Sequence, residues 1–117
     1  MTPLPVLGKI LISHRAIASI AYESALSSYG VVGLAAKNLA ESITQVLTKD
    51  PNRGIDVLVN NNEIFLEVFI VVEYGTRIKS VAISVAENIK YKVEKATGLI
   101  VGAVNIHVRG LRISNTD

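Results

Sequence analysis

Two alternating runs joined at Asn61 and Asn62, Ile55 to Asn60 and Glu63 to Tyr74, constrain this chain more than any other feature. Apolar and polar residues exchange with the period of a half-buried strand, and asparagine tolerates the positive φ of a two-residue hairpin turn. Such a turn sets its own register. Leu58 then faces Phe65, Val57 faces Leu66 and Val59 faces Ile64. Asp56 falls opposite Glu67, a like-charge pair that is mildly destabilising unless a cation intervenes. Ile64, Leu66, Val68, Ile70, Val72 and Tyr74 share the face predicted to pack on helices. The other face carries Glu63, Phe65, Glu67, Phe69, Val71 and Glu73, acid alternating with bulky apolar groups, where a solvated face would be polar throughout.

Helical periods flank the hairpin. Ser13 is placed to cap a helix from His14, with stripes at Ile17, Ile20, Ala21 and at Ala18, Tyr22, Ala25, which Gly30 ends as a C′ glycine. Val32, Ala35, Ala36, Leu39, Ile43, Val46 and Leu47 restart the helical spacing beyond Gly33, and Pro51, Asn52 and Gly54 stop it and turn the chain. After the break at Gly75, Thr76 is a capping candidate for a helix with Ile78, Val81, Ala82, Val85, Ile89, Val93 and Ala96 on one side and Gly98 at its end. A first strand is expected at Gly8 to Ile12 and a last one where Val104, Ile106 and Val108 alternate with Asn105, His107 and Arg109.

These elements predict one α/β (α+β) domain over 1–117. It is a two-layer sandwich of about four mostly antiparallel strands with helices on one face, split βαβ-like, with a loosely ordered lead (1–7) and tail (114–117). With 117 residues, four Tyr, two Phe and no Trp, the core must be built from Ile, Val, Leu and Ala. The absence of cysteine removes disulfides, thiol nucleophiles and thiolate metal sites, and fits a reducing compartment. Twelve basic against ten acidic side chains, spread along the chain, form no nucleic-acid footprint. No segment reads as a signal or approaches the roughly eighteen apolar residues of a span, so a cytoplasmic location without direct membrane insertion is expected.

Catalytic chemistry finds little support. His14 and His107 are far apart and lack carboxylates at ligand spacing, and no serine sits in a G-x-S-x-G elbow. Gly30-Val31-Val32-Gly33-Leu34-Ala35 lacks the Lys-Ser/Thr of a phosphate loop, and Glu73 with Tyr74 reads better as a strand end than as an acid and a phenol in a site. Neither enzyme activity nor a cofactor or metal is expected.

Four segments carry a family resemblance: Gly30-Val31-Val32-Gly33-Leu34-Ala35, Val71-Val72-Glu73-Tyr74-Gly75, Thr97-Gly98-Leu99 and Val104-Asn105-Ile106-His107-Val108. In this order and at these separations they resemble the alkaline shock protein family, over roughly Gly8 to Leu111. The resemblance implies a small bacterial cytoplasmic protein without established enzymatic activity. It also implies a link to envelope stress and homeostasis, self-assembly in some relatives, and attachment near the membrane through a separate anchor protein. The chain departs from the family after Leu34, where relatives often carry extra glycine, and in its short tail.

Two readings follow. In the first, the mixed face is an interaction surface with Leu58, Phe65, Phe69 and Val71 at its centre and Glu67 beside them, buried in a homo-oligomer or against a partner protein, unless the Pro3 to Leu7 lead covers it. In the second, His107, Arg109 and Arg112 form an edge that binds a small ligand or RNA, against which the interleaved Glu63, Glu67 and Glu73 would repel phosphates.

Overall fold

The computed structural model describes residues 13–36 and 47–112. The expected strand at Gly8 to Ile12, the Pro3 to Leu7 lead, the tail from Ser114 and residues 37–46 of the expected second helix lie outside them. The elements are α1 (His14–Leu26), β1 (Val31–Ala35), β2 (Leu47–Thr48), α2 (Pro51–Gly54), β3 (Ile55–Asn60), β4 (Glu63–Glu73), α3 (Ile78–Thr97) and β5 (Ile100–Arg112). The architecture is the expected α+β one, with α1 and α3 packed on one face of a mixed sheet.

The hairpin has the register that its turn demands. Leu58 pairs with Phe65, Val57 with Leu66, Val59 with Ile64 and Asp56 with Glu67, while Asn61 and Asn62 take φ of 54° and 70°. β4 is the axis of the sheet. Along one edge it pairs in parallel with β5 over its whole length, so its other edge is shared by β3, opposite Glu63 to Val68, and β1, opposite Ile70 to Val72. β2 extends β1 outward through Leu34 opposite Thr48 and Ala35 opposite Leu47.

Sharing that edge explains the main departure from the sequence reading. Val32 to Ala35 were expected to open a helix, and they form strand β1 instead. β3 reaches only as far as Val68, which would leave buried main-chain groups beside Ile70 and Val72 without partners, and buried amides and carbonyls must be paired. Val31 to Leu34 supply those partners, helped by two β-branched residues. Gly30 accordingly sits past the end of α1, with φ of 88° in the turn into β1, and its carbonyl accepts from the Glu73 amide at 2.8 Å. Pro51 to Gly54, expected as a stop, make the single helical turn α2, capped by the Asp50 carboxylate on the Asn52 amide.

Other local signals translate directly. The Ser13 hydroxyl accepts from the Ala16 amide at 3.0 Å and starts α1. α3 buries Val81, Val85, Ile89 and Val93 and ends on Gly98 in the left-handed region. Thr76 does not cap it: its hydroxyl donates to the Glu73 carbonyl at 2.7 Å, and Arg77 takes the cap position with no side-chain bond. Ile64, Leu66, Val68, Ile70 and Val72 are buried as expected, against Ile17, Ala21, Val85 and Ile89. Tyr74 is not: it lies beyond the last paired residue of β4 and is 65% exposed.

Candidate functional site

The sheet face turned away from the helices is assembled from three strands. β3 contributes Asp56 and Leu58, and β4 contributes Glu63, Phe65, Glu67, Phe69, Val71 and Glu73. From β5 come Ile100, Ala103, Asn105 and His107, which stand beside Glu63, Phe65, Glu67 and Phe69. Period-two alternation, shifted by one residue in β5 between Val101 and Ala103, puts each of these side chains on this face.

Of the four residues expected at the centre of an open patch, Leu58, Phe65, Phe69 and Val71, the last two lie at an end of the face that is closed. Phe69 is 9% exposed and Val71 fully buried. The His107 ring stacks on Phe69, with centroids 4.7 Å apart and planes at 14°, and the Arg109 guanidinium lies 4.9 Å from the same ring. Both contacts are favourable, and they occupy the aromatic surface that a base or ligand would need.

At the centre of the face, Glu67 is bound from β5. Asn105 Nδ2 donates to one carboxylate oxygen at 2.8 Å, and His107 Nε2 lies 2.5 Å from the other. An ionised carboxylate only accepts, so the imidazole nitrogen facing it carries the proton. His107 and Asn105 thus satisfy the Glu67 carboxylate, which stands opposite Asp56 in the hairpin register. The hydrogen bonds from His107 and then Asn105, with the His107 charge adding to them, hold the Glu67 carboxyl below its ordinary value despite some desolvation.

A depressed folded-state pKa contributes stability above the unfolded value, and that contribution is lost as pH falls through the folded one. Acidification below about 4.5 should therefore weaken the clasp between β4 and β5. Urea titrations across the acid range should show a shallower loss of stability in Glu67→Gln than in the natural chain. Parallel slopes would mean that the clasp contributes nothing in solution.

The other end of the face is open among the described residues. Leu58 is 59% exposed and Ile100 61%, and half-buried Phe65 stands opposite Leu58, one row along the face from Ile100. Phe65 rests on the backbone of Gly102, where a Cβ would come within 2.6 Å of the ring, so only glycine admits this close approach. β5 bulges at that point, because Ile64 and Phe65 pair with Val101 and Ala103 and leave Gly102 over. A cleft of about 310 Å³ runs beside the island, lined by Asp56, Val57, Leu58, Phe65 and Glu67.

Of the residues singled out from the sequence, Leu58, Phe65 and Glu67 share the open or central part of this face, and Phe69 and Val71 the closed part. His107 and Arg109 meet on Phe69, whereas Arg112 ends β5 with its side chain outside the described residues. The sequence reading missed Asn105, Ile100 and Gly102 as parts of the site. Asn105 was detectable as the residue sharing His107's face two positions earlier, but its meeting with Glu67 depends on the β4–β5 pairing. Among the described residues, no three His, Asp or Glu side chains gather as metal ligands, and no helix is long and apolar enough to cross a membrane.

What the geometry defines is a small α+β domain with one sheet face covered by helices and the other half closed, half open. Residues 5–113 match the alkaline shock protein 23 family, described as having cell envelope-related function, and the chain belongs to that family. It is 40% identical over 110 residues to the protein YloU of Bacillus subtilis, with 92% of each chain covered. It is 31% identical over 108 residues to Spy1614 of Streptococcus pyogenes, with 91% of this chain and 89% of the relative covered. Among solved structures, a MamM C-terminal domain variant in a zinc form shares the fold, with a TM-score of 0.51 and 14% identity, covering 88% of this chain and 89% of the other.

Proposed function

We propose that this protein is a non-enzymatic binding and assembly module of cell-envelope homeostasis. It acts in the cytoplasm by self-association or by contact with a protein partner, a membrane-anchored one included. The observation that carries this reading is the set of Leu58, Phe65 and Ile100, which no described residue covers, whereas His107 and Arg109 cover Phe69 on the same face. A large aliphatic side chain more than half exposed beside an aromatic ring is the composition of an interface core. The non-enzymatic part is supported by His107, whose ring is stacked on Phe69 and whose Nε2 is held by Glu67, a structural use of a potential acid–base group.

The test is Leu58→Lys. Its side chain is mostly in solvent, so the fold should be retained, as judged by circular dichroism and melting temperature. In cells treated with a crosslinker, the natural protein should be recovered in complexes, and the variant's complexes should be reduced about tenfold, the loss expected when a charge replaces an apolar contact residue. Equal recovery would remove the island from the account. Turnover of a substrate by the purified chain would remove the reading itself.

A further inference from the structure

We propose that two copies of this chain pair antiparallel through the free edge of β5 and form one continuous sheet. The inference rests on the assembly reading and names its partner, a second copy. Among the described residues, β5 pairs with β4 along one edge and with no strand along the other. An open edge offers unpaired amides and carbonyls to any extended chain, and proteins usually blunt such edges with lysine, proline or bulges.

Here the blunting is confined to the ends. Gly102 and Arg109 are the residues left over where the pairing shifts, and the stretch between them, Ala103 to Val108, is regular, six residues long, and free of lysine and proline. A shallow groove of about 500 Å³ follows this stretch. Its helix-side wall is apolar, made by Ala82, Ile83 and Ala86, with Ile83 52% exposed. Its other wall carries Glu67, Asn105 and His107.

An occupant of this groove must be a strand that is apolar toward the helices and polar or basic toward the Glu67 carboxylate. β5 has that pattern: Val104, Ile106 and Val108 alternate with Asn105, His107 and Arg109. A two-fold axis perpendicular to the sheet keeps the apolar residues of both copies on the helix side, where Ile83 flanks them. With the axis at Ile106 or His107, either His107 of the partner subunit or Arg109 of the partner subunit falls opposite Asn105, next to Glu67. Symmetry repeats the contact. Such a dimer also sets both Leu58 islands on the same side of the sheet, so a partner bound there would be held at two points.

The chain has no cysteine, which allows a clean test. Val104→Cys, Asn105→Cys, Ile106→Cys and His107→Cys are oxidised one at a time, with Leu58→Cys as the control, and sedimentation velocity is run on the natural chain and on Ile83→Lys. The expected result is a dimer at concentrations of about 0.1 mM or below, a dissociation constant about tenfold higher for Ile83→Lys, and disulfide formation confined to the β5 position on the two-fold. The proposal is overturned by a strictly monomeric natural chain, or by a dimer insensitive to Ile83→Lys that crosslinks at Leu58→Cys and at no β5 position. A monomer would leave the island available to a different protein, which the Leu58→Lys recovery experiment reads separately.

Discussion

Leu66→Ala should lower the free energy of unfolding by about 2–5 kcal/mol, the range for truncating a fully buried leucine that cannot be refilled by its neighbours. Leu66 has no exposed surface and sits in the middle of β4, held between Val57 on one side and Val104 on the other. The strand is fixed along both edges, so its backbone cannot slide to close the hole. Thermal unfolding should show a melting temperature lower by roughly 10 °C or more for a domain of this size. A loss below about 1 kcal/mol would mean that the position relaxes and that β4 is not the rigid axis of the sheet.

Gly30→Ala should be the second severe substitution, for a different reason. Gly30 takes φ of 88°, a region in which a side chain is strained at a cost of about 1–3 kcal/mol. A Cβ there would also lie 2.7 Å from Cγ2 of Val81, a buried residue of α3. Relieving that overlap by moving packed atoms costs about another 1–3 kcal/mol. The turn cannot swing away freely, because the Gly30 carbonyl receives the Glu73 amide and so aligns β1 with β4. Equilibrium unfolding should report the sum, whereas Gly98→Ala, at a positive φ with no atom nearby, should show only the strain. Equal effects at the two sites would exclude the contact with Val81 as a contributor.

At Gly30 the local residue pattern and the tertiary context diverge. Its left-handed conformation was expected, yet its role was assigned to the end of α1, since Val32, Ala35, Ala36 and Leu39 match a helical period as well as they match anything. What decides for strand is the unfilled edge of β4 beyond Val68. That edge exists only once β3 and β4 have paired and shown their unequal lengths. Phe69 and Val71 failed in the same way. Their alternation with Glu67 and Glu73 placed them correctly on the outer face, but their burial is not legible there, and that of Phe69 involves His107 and Arg109, far along the chain.

The hairpin register, the buried row from Ile64 to Val72, the Ser13 cap and the helix Ile78–Thr97 with its Gly98 end were determined by the sequence alone. Each rests on periodicity or turn chemistry among neighbours a few residues apart, where the possible partners are few. The tertiary structure alone decided that Val31 to Ala35 would be a strand and that β5 would run parallel beside β4. It also decided that His107, 40 residues from Glu67, would bind that carboxylate and cover Phe69, leaving the island at Leu58 open. A parallel partner delivered by a helical crossover has no turn to set its register, so its alignment follows from packing, and one residue of slip would exchange its two faces.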